Sequence, residues 1–335
     1  MFASVAGMTV LAAASVSAEP PPILRVGIIG CDTSHAPAFT SLLHGPKATG
    51  DLAAFRVVAA FPGGSQDIPS SKDRVAGYTA ELRDKHKVEI VDSISQLLDK
   101  VDVVLLESVD GRPHLEQAKP VFAAKKPVFI DKPCAGSLAD VIAIYRLAAK
   151  TGTPMFSSSG LRFAKGVIAA RGDNGTFGRP LGCFAYSPCS LDPHHPDLYW
   201  YGIHGVEILY TVMGPGCQTV TCSATDGAHL VTGVWKDGRI GTFKGVRHGK
   251  PDYGGIVFGE KKTGPTGGFT GYEPLVVEVC KFFRSGKPPV SPEETIELYA
   301  FMSAADESKK RGGAPVPLAE VLAAAEAEAK KKIGE

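Results

Sequence analysis

The chain has 335 residues, 44% hydrophobic and 21% charged, and a formal net charge of +1. That length supports two domains with an ordinary core, and the near-neutral charge argues against nucleic acid or an anionic membrane surface as partner. Seven scattered cysteines without a C-x-x-C pair argue against a disulfide framework, a paired-cysteine zinc site or a dithiol centre.

The chain begins with an apolar stretch, "MTVLAAASVSAEPPP", in which Val16-Ser17-Ala18 precedes Glu19 in the manner of a signal-peptidase site. It is short for a membrane span, and residues 1–8 contain no Lys or Arg. Residues 1–18 are therefore expected to be a signal peptide, giving a periplasmic or secreted protein. The alternative is a loose tail on a cytoplasmic one.

Apolar runs at 23–30, 55–61, 88–91, 101–108 and 126–131 suit buried parallel strands. Helical stretches at 36–44, 72–86, 93–99, 113–125 and 137–149 separate them, the last with Ser137 as N-cap. This alternation predicts a doubly wound α/β domain over 23–150. From 151 to 325 the rhythm changes. "RPLGCFAYS", "QTVTCSATD", "HLVTGVWKDG" and "RIGTFKGVRHG" read as strands, with a hairpin turn at 236–239. Helices are expected at 201–214, 273–285 and 292–311. The second domain is thus α+β with a mostly antiparallel sheet, and its C-terminal helices are expected to pack back on the first.

In doubly wound sheets ligands bind beyond the carboxyl ends of the strands. The first strand tip carries Gly30, Cys31, Asp32, Thr33, Ser34 and His35. The fourth carries Glu107 and Ser108, then Arg112 and His114, and the fifth carries Asp131-Lys132-Pro133. Pro133 biases Lys132 toward extended backbone and holds its side chain at the tip. A lysine in a partly desolvated crevice has its pKa lowered and becomes a usable base.

These motifs, in order, resemble the Gfo/Idh/MocA family of oxidoreductases. "DKP" at 131–133 looks like that family's E-K-P signature, and the block from Val101 to Pro133 resembles the strand–loop–His–helix–strand segment leading into it. "GLRFAKGVIAA" is similar to its R-F-x-P crossover, and "YGIHGVEILYTVMG" to its histidine helix, with His204 at the matching position. The resemblance runs from about residue 24 to 320. It implies a Rossmann-type first domain, a second domain able to form homo-oligomers, and NAD or NADP, tightly bound. It also implies a sugar or polyol substrate, with Lys132 and His204 as acid/base groups and Arg162 and His204 on the substrate. Gly30 to His35, Ser108, His114 and Lys132 would then face the cofactor.

The glycine fingerprint departs from the family's pattern. Its second and third glycine positions hold Asp32 and His35, and a carboxylate facing a pyrophosphate is electrostatically wrong unless the loop turns it away. Bulk at His35 is expected to push the helix off the sheet. The second strand ends in Phe61-Pro62-Gly63-Gly64-Ser65, without the usual acid for the ribose. That leaves NADP, with Lys72 or Arg74 on its phosphate, or no dinucleotide at all. Trp200 stands where the family often has an aspartate. Asp32, His35, His114, Asp192, His194, His195 and Asp197 could hold a divalent metal, although solvated loop residues and helix caps are the more frequent reading, and no metal is expected. The alternative function is a family member without redox chemistry: a sugar-binding protein, or a metal-assisted lyase or hydrolase.

Overall fold

A computed structural model describes residues 22–46, 48–172 and 175–335. The expected signal peptide lies outside the described residues. The first sheet has six parallel strands: β1 (Leu24–Ile29), β2 (Phe55–Phe61), β3 (Glu89–Ile90), β4 (Val103–Leu106), β5 (Val128–Asp131) and β6 (Met155–Ser158). Their order, β3-β2-β1-β4-β5-β6, places the switch point between β1 and β4, where a crevice must open. The sixth strand extends the first domain past residue 150, so the expected boundary moves to the end of β6. The crossover helices are α1 (His35–His44), α2 (Pro69–Asp84), α3 (Ile94–Leu98), α4 (His114–Ala123) and α5 (Leu138–Thr151). Ser137 caps α5 by accepting from the Asp140 amide, as its sequence position indicated.

His35 does not push α1 off the sheet. Its ring lies sideways along the crevice, stacked on Phe39 at 5.3 Å, while Phe39 and Leu43 pack into the core with Val26 and Ile28. Gly30 has a steric reason to be glycine: its φ is +93°, and a Cβ there would stand 2.3 Å from the Ser108 amide nitrogen.

After β6, a short 3-10 turn (Gly160–Phe163) and α6 (Lys165–Ala169) lead into the second domain. Its elements are β7 (Pro180–Pro188), α7 (Asp197–Trp200), α8 (Ile203–Met213), β8 (Cys217–Thr225), β9 (Ala228–Trp235), β10 (Ile240–Val246), β11 (Gly254–Gly259) and β12 (Thr263–Pro265). Three helices and one short strand complete it: α9 (Glu273–Ser285), α10 (Pro292–Lys310), β13 (Val316–Pro317) and α11 (Leu318–Ile333). The sheet order is β12-β11-β7-β10-β9-β8-β13, antiparallel except where β7 meets β10.

One face of this sheet is covered by α8 and α10. The other alternates outward and presents Leu230, Val234, Ile240 and Phe258, all exposed. Helix α9 does fold back: Leu275, Val276, Val279, Phe282 and Phe283 join Phe39, Phe55 and Phe156 in the core beneath the first sheet. Helices α10 and α11 pack on α5. Among the described residues no helix is long and apolar enough to cross a membrane.

Candidate functional site

The crevice at the switch point opens into a cavity of about 330 Å³, at the small end of the usual ligand range of about 300–1,000 Å³. The first domain contributes Thr33, Ser34, His35, Ser70, Arg74 and Lys132. The second contributes His204, Trp200, Tyr201, Tyr253, Phe269 and Tyr272.

Lys132 follows β5, and its peptide bond to Pro133 is cis. The side chain is 8% exposed, and its ammonium meets no hydrogen-bond acceptor or carboxylate among the described residues. It lies 5.7 Å from the centre of the Tyr201 ring, a cation–π distance. Burial lowers its pKa, the nearby Asp131 carboxylate opposes this, and the Arg74 charge adds to it. His204, also 8% exposed, stands on the opposite wall with its ring 5.5 Å from that of Tyr201. Its Nδ1 is 2.7 Å from the Ser159 hydroxyl, which leaves Nε2 for the cavity.

Burial, reinforced by Lys132 and His35, lowers the His204 pKa well below 6.5. The folded protein therefore binds fewer protons here than the unfolded chain. This group's share of stability is present above pH 6.5 and is lost as the pH falls from there toward the folded pKa. Denaturant titrations of His204→Gln at pH 5.5 and 7.5 should show a smaller pH dependence than wild type, by up to about 1.4 kcal/mol per pH unit.

A dyad unseen in the sequence completes the floor. His35 Nδ1 lies 2.6 Å from Asp131 Oδ2, a pair 96 residues apart in the chain. Burial would raise the Asp131 pKa, but the His35 imidazole and then Lys132 hold it low. Behind it Glu107 is fully buried with neither carboxyl oxygen paired among the described residues. Burial and the charges of Asp131 and Asp32 push its pKa well above the ordinary value, so one of these carboxyls keeps its proton.

Other expected residues go elsewhere. Arg162 does not line the cavity. It is 1% exposed, with Nε 2.5 Å from Glu207 and its other edge paired to Glu294. Glu207 also accepts from the Ser159 amide, so Arg162 braces the residue that orients His204. This corrects its expected place on the substrate: both carboxylates already occupy the guanidinium. His114 is buried between the Ser108 and Cys134 carbonyls at 2.9 and 3.1 Å. Ser108 donates to Gln117, and burial pushes the Cys31 thiol up to about 12. None of these three lines the cavity.

The Asp/His set is likewise dispersed. Asp197 pairs with His229 and Lys309, and His195 lies between Asp110 and Asp192 at 3.1 Å from each. Among the described residues no group of three or more His, Cys, Asp or Glu is placed to hold a metal.

Asp32 is turned away from the crevice. Its carboxylate accepts from the Ser71 hydroxyl (2.6 Å) and the Val109 amide (3.0 Å), so it ties the start of α2 to the loop after β4. A further clasp lies beside it. Ser65 donates to Asp110 at 2.5 Å, and Arg112 grips both Asp110 and Asp67. Burial would raise the Asp110 pKa, but His195 and Arg112 hold it far below the ordinary range.

These residues test the dinucleotide that such a fold accepts. At the pyrophosphate end Thr33 and Ser34 border the cavity, and their amides meet no acceptor among the described residues. At the ribose end the fit fails. The Cys31 amide already donates to Pro62 at 2.7 Å, and the clasp bridges the tips of β2 and β4. Among the described residues no carboxylate is free at β2 for ribose hydroxyls, and Lys72 does not border the cavity.

The fold and site define a two-domain protein whose Rossmann domain and open-sheet domain share one interdomain cavity. Residues 24–158 match the Gfo/Idh/MocA family model, described as an oxidoreductase family with an NAD-binding Rossmann fold. The match covers the first domain and stops at the end of β6. Among solved structures, a probable dehydrogenase from Thermotoga maritima is 21% identical, with 89% of this chain and 100% of that chain covered and a TM-score of 0.72. The scyllo-inositol dehydrogenase of Lactobacillus casei with bound NAD(H) and scyllo-inositol is 12% identical, with 89% and 99% covered and a TM-score of 0.69. An oxidoreductase from Agrobacterium radiobacter, in complex with NAD+, L-tartaric acid and magnesium, is 16% identical with the same coverage and TM-score. At these identities the likeness is one of fold. No curated protein matches the sequence.

Proposed function

We propose that this protein is an enzyme of the oxidoreductase family acting on a sugar or polyol, with Lys132 and His204 moving a proton at a hydroxyl-bearing carbon. The observation that carries this reading is the unpaired, buried Lys132 ammonium sharing a small cavity with a neutral His204. Deprotonated Lys132 takes the hydroxyl proton, while His204 Nε2, its ring set by Ser159, holds the neighbouring oxygen. The His35–Asp131 dyad adds a third proton-handling group at the cavity floor.

NAD or NADP, tightly bound, is what the match of the first domain to the family model suggests; the closed tip of β2 speaks against it. That closure favours a second reading, a sugar-binding or lyase function without dinucleotide. Denaturing freshly purified protein and assaying released dinucleotide by absorbance and mass spectrometry decides between them. About one equivalent supports the redox reading. An empty protein that also fails to bind added NAD(H) or NADP(H) supports the second.

Export to the periplasm or medium, resting on residues 1–18, belongs to the same proposal and is checked by N-terminal sequencing of the mature protein. So does pairing of two copies through the outer sheet face of Leu230, Val234, Ile240 and Phe258. Ile240→Asp is expected to convert a dimer to monomer in sedimentation.

A further inference from the structure

The cavity has a one-sided charge. Lys132 and Arg74 line it together with His35 and His204, and no Asp or Glu does among the described residues. Neither cation has a carboxylate partner there. Lys132 is nine-tenths buried and aimed into the space, a costly state for an ammonium without a counter-charge. Arg74 stands exposed at the rim on α2, beside Ser70. The start of α1 adds the Thr33 and Ser34 amides, with a hydroxyl on each residue and the positive end of a ten-residue helix behind them. The chain as a whole carries only +1, so this concentration of positive groups is local to the cavity.

We propose that the ligand is a small hydroxylated organic anion, a sugar acid or sugar phosphate, whose anionic group lies between Arg74 and the Thr33 and Ser34 amides just ahead of α1, with Lys132 left to the hydroxyl-bearing carbon. The place where a dinucleotide's pyrophosphate would sit thus serves the substrate's own charge. The Asp32 tether and the Ser65–Asp110–Arg112–Asp67 clasp close the ribose side beyond it. The aromatic wall of Tyr201, Tyr253, Phe269 and Tyr272 faces the sugar ring, and His204 faces its hydroxyls. The volume of about 330 Å³ suits one such unit. This inference rests on the reading of the cavity as a sugar or polyol site and adds the charge.

Calorimetry on the full chain, after its dinucleotide content has been assayed, tests the proposal with glucuronate, glucose 6-phosphate and neutral glucose as probes. The expected result is binding of at least one anionic probe, weakened by added salt. Its affinity should exceed that for glucose by about tenfold or more, the usual worth of a charge-assisted hydrogen bond. Which anion binds more tightly separates carboxylate from phosphate.

Arg74→Gln, on an exposed helix position and therefore expected to melt like wild type, should lower anion affinity by about tenfold and leave glucose affinity unchanged. Glucose binding as tightly as both anions overturns this inference but leaves the sugar site standing. An equivalent of NAD(P) released from the purified protein also overturns it, because the cofactor's phosphates then own the α1 terminus. Failure of all three probes to bind overturns both the inference and the proposed sugar or polyol function.

Discussion

Lys132→Met is expected to lower turnover by about 10²- to 10⁴-fold, the usual contribution of a positioned acid or base. Methionine keeps the length and apolar body of the side chain in a space that is already dry, so the fold should persist and the melting temperature should hold or rise. The reason is that an ammonium at 8% exposure with no acceptor is a burden on stability, which a neutral side chain relieves. The pH dependence carries a second signature. Burial and Arg74 lower the Lys132 pKa, so wild-type turnover should climb with pH and level off below 10.5, where the neutral amine already dominates. Residual activity of the variant should lack that limb. Substrate turnover measured across pH 6 to 10 checks both points. Full activity in Lys132→Met would remove lysine from the mechanism.

Arg162→Met should act on stability instead. Removing the guanidinium leaves Glu207 and Glu294, both buried, without their shared partner. Breaking a buried ion pair from one side costs about 3–5 kcal/mol. Denaturant unfolding should show that loss, and a triple Arg162→Met, Glu207→Gln, Glu294→Gln variant should recover part of it, since no uncompensated charge remains. A residue that bound substrate directly would behave differently: its loss would raise KM strongly at little cost in stability. In the folded fraction of Arg162→Met, kcat should fall more than substrate affinity. Glu207 holds the Ser159 amide, and Ser159 sets the His204 ring, so the defect reaches the chemistry through orientation.

The route from Arg162 to His204 explains why the sequence misleads at this position. An arginine in a crossover segment near a histidine helix reads as a ligand-binding cation, because nothing local shows that Glu207 and Glu294 converge on it. Glu294 is 132 residues away. The same distance hides the His35–Asp131 dyad. His35 reads as misplaced bulk in a glycine position, yet the crevice geometry turns that bulk along the floor, where β5 supplies its partner. The aromatic wall was equally invisible, since Tyr253, Phe269 and Tyr272 come from loops without periodic pattern.

Elsewhere local rules suffice. The parallel strands announce themselves as uninterrupted apolar runs because both their faces are buried. The outer sheet of the second domain shows the in-out alternation of a sheet covered on one side. Ser137 caps its helix and Gly30 makes its turn for reasons carried by single residues. Lys132 was placed by its proline and its strand.

The α/β and α+β architecture, the parallel sheet and a lysine at the switch point are thus written in the residues themselves. Those features follow from hydrophobic period and backbone restriction, which act over a few residues. Which charges meet is a property of the folded chain. Folding turned Asp32 away from the crevice, bridged the tips of β2 and β4, gathered Arg74 with Lys132, and caged Arg162. Charge pairing depends on distances in space between groups far apart in the chain, and a shift of a few ångströms separates an ion pair from two solvated residues.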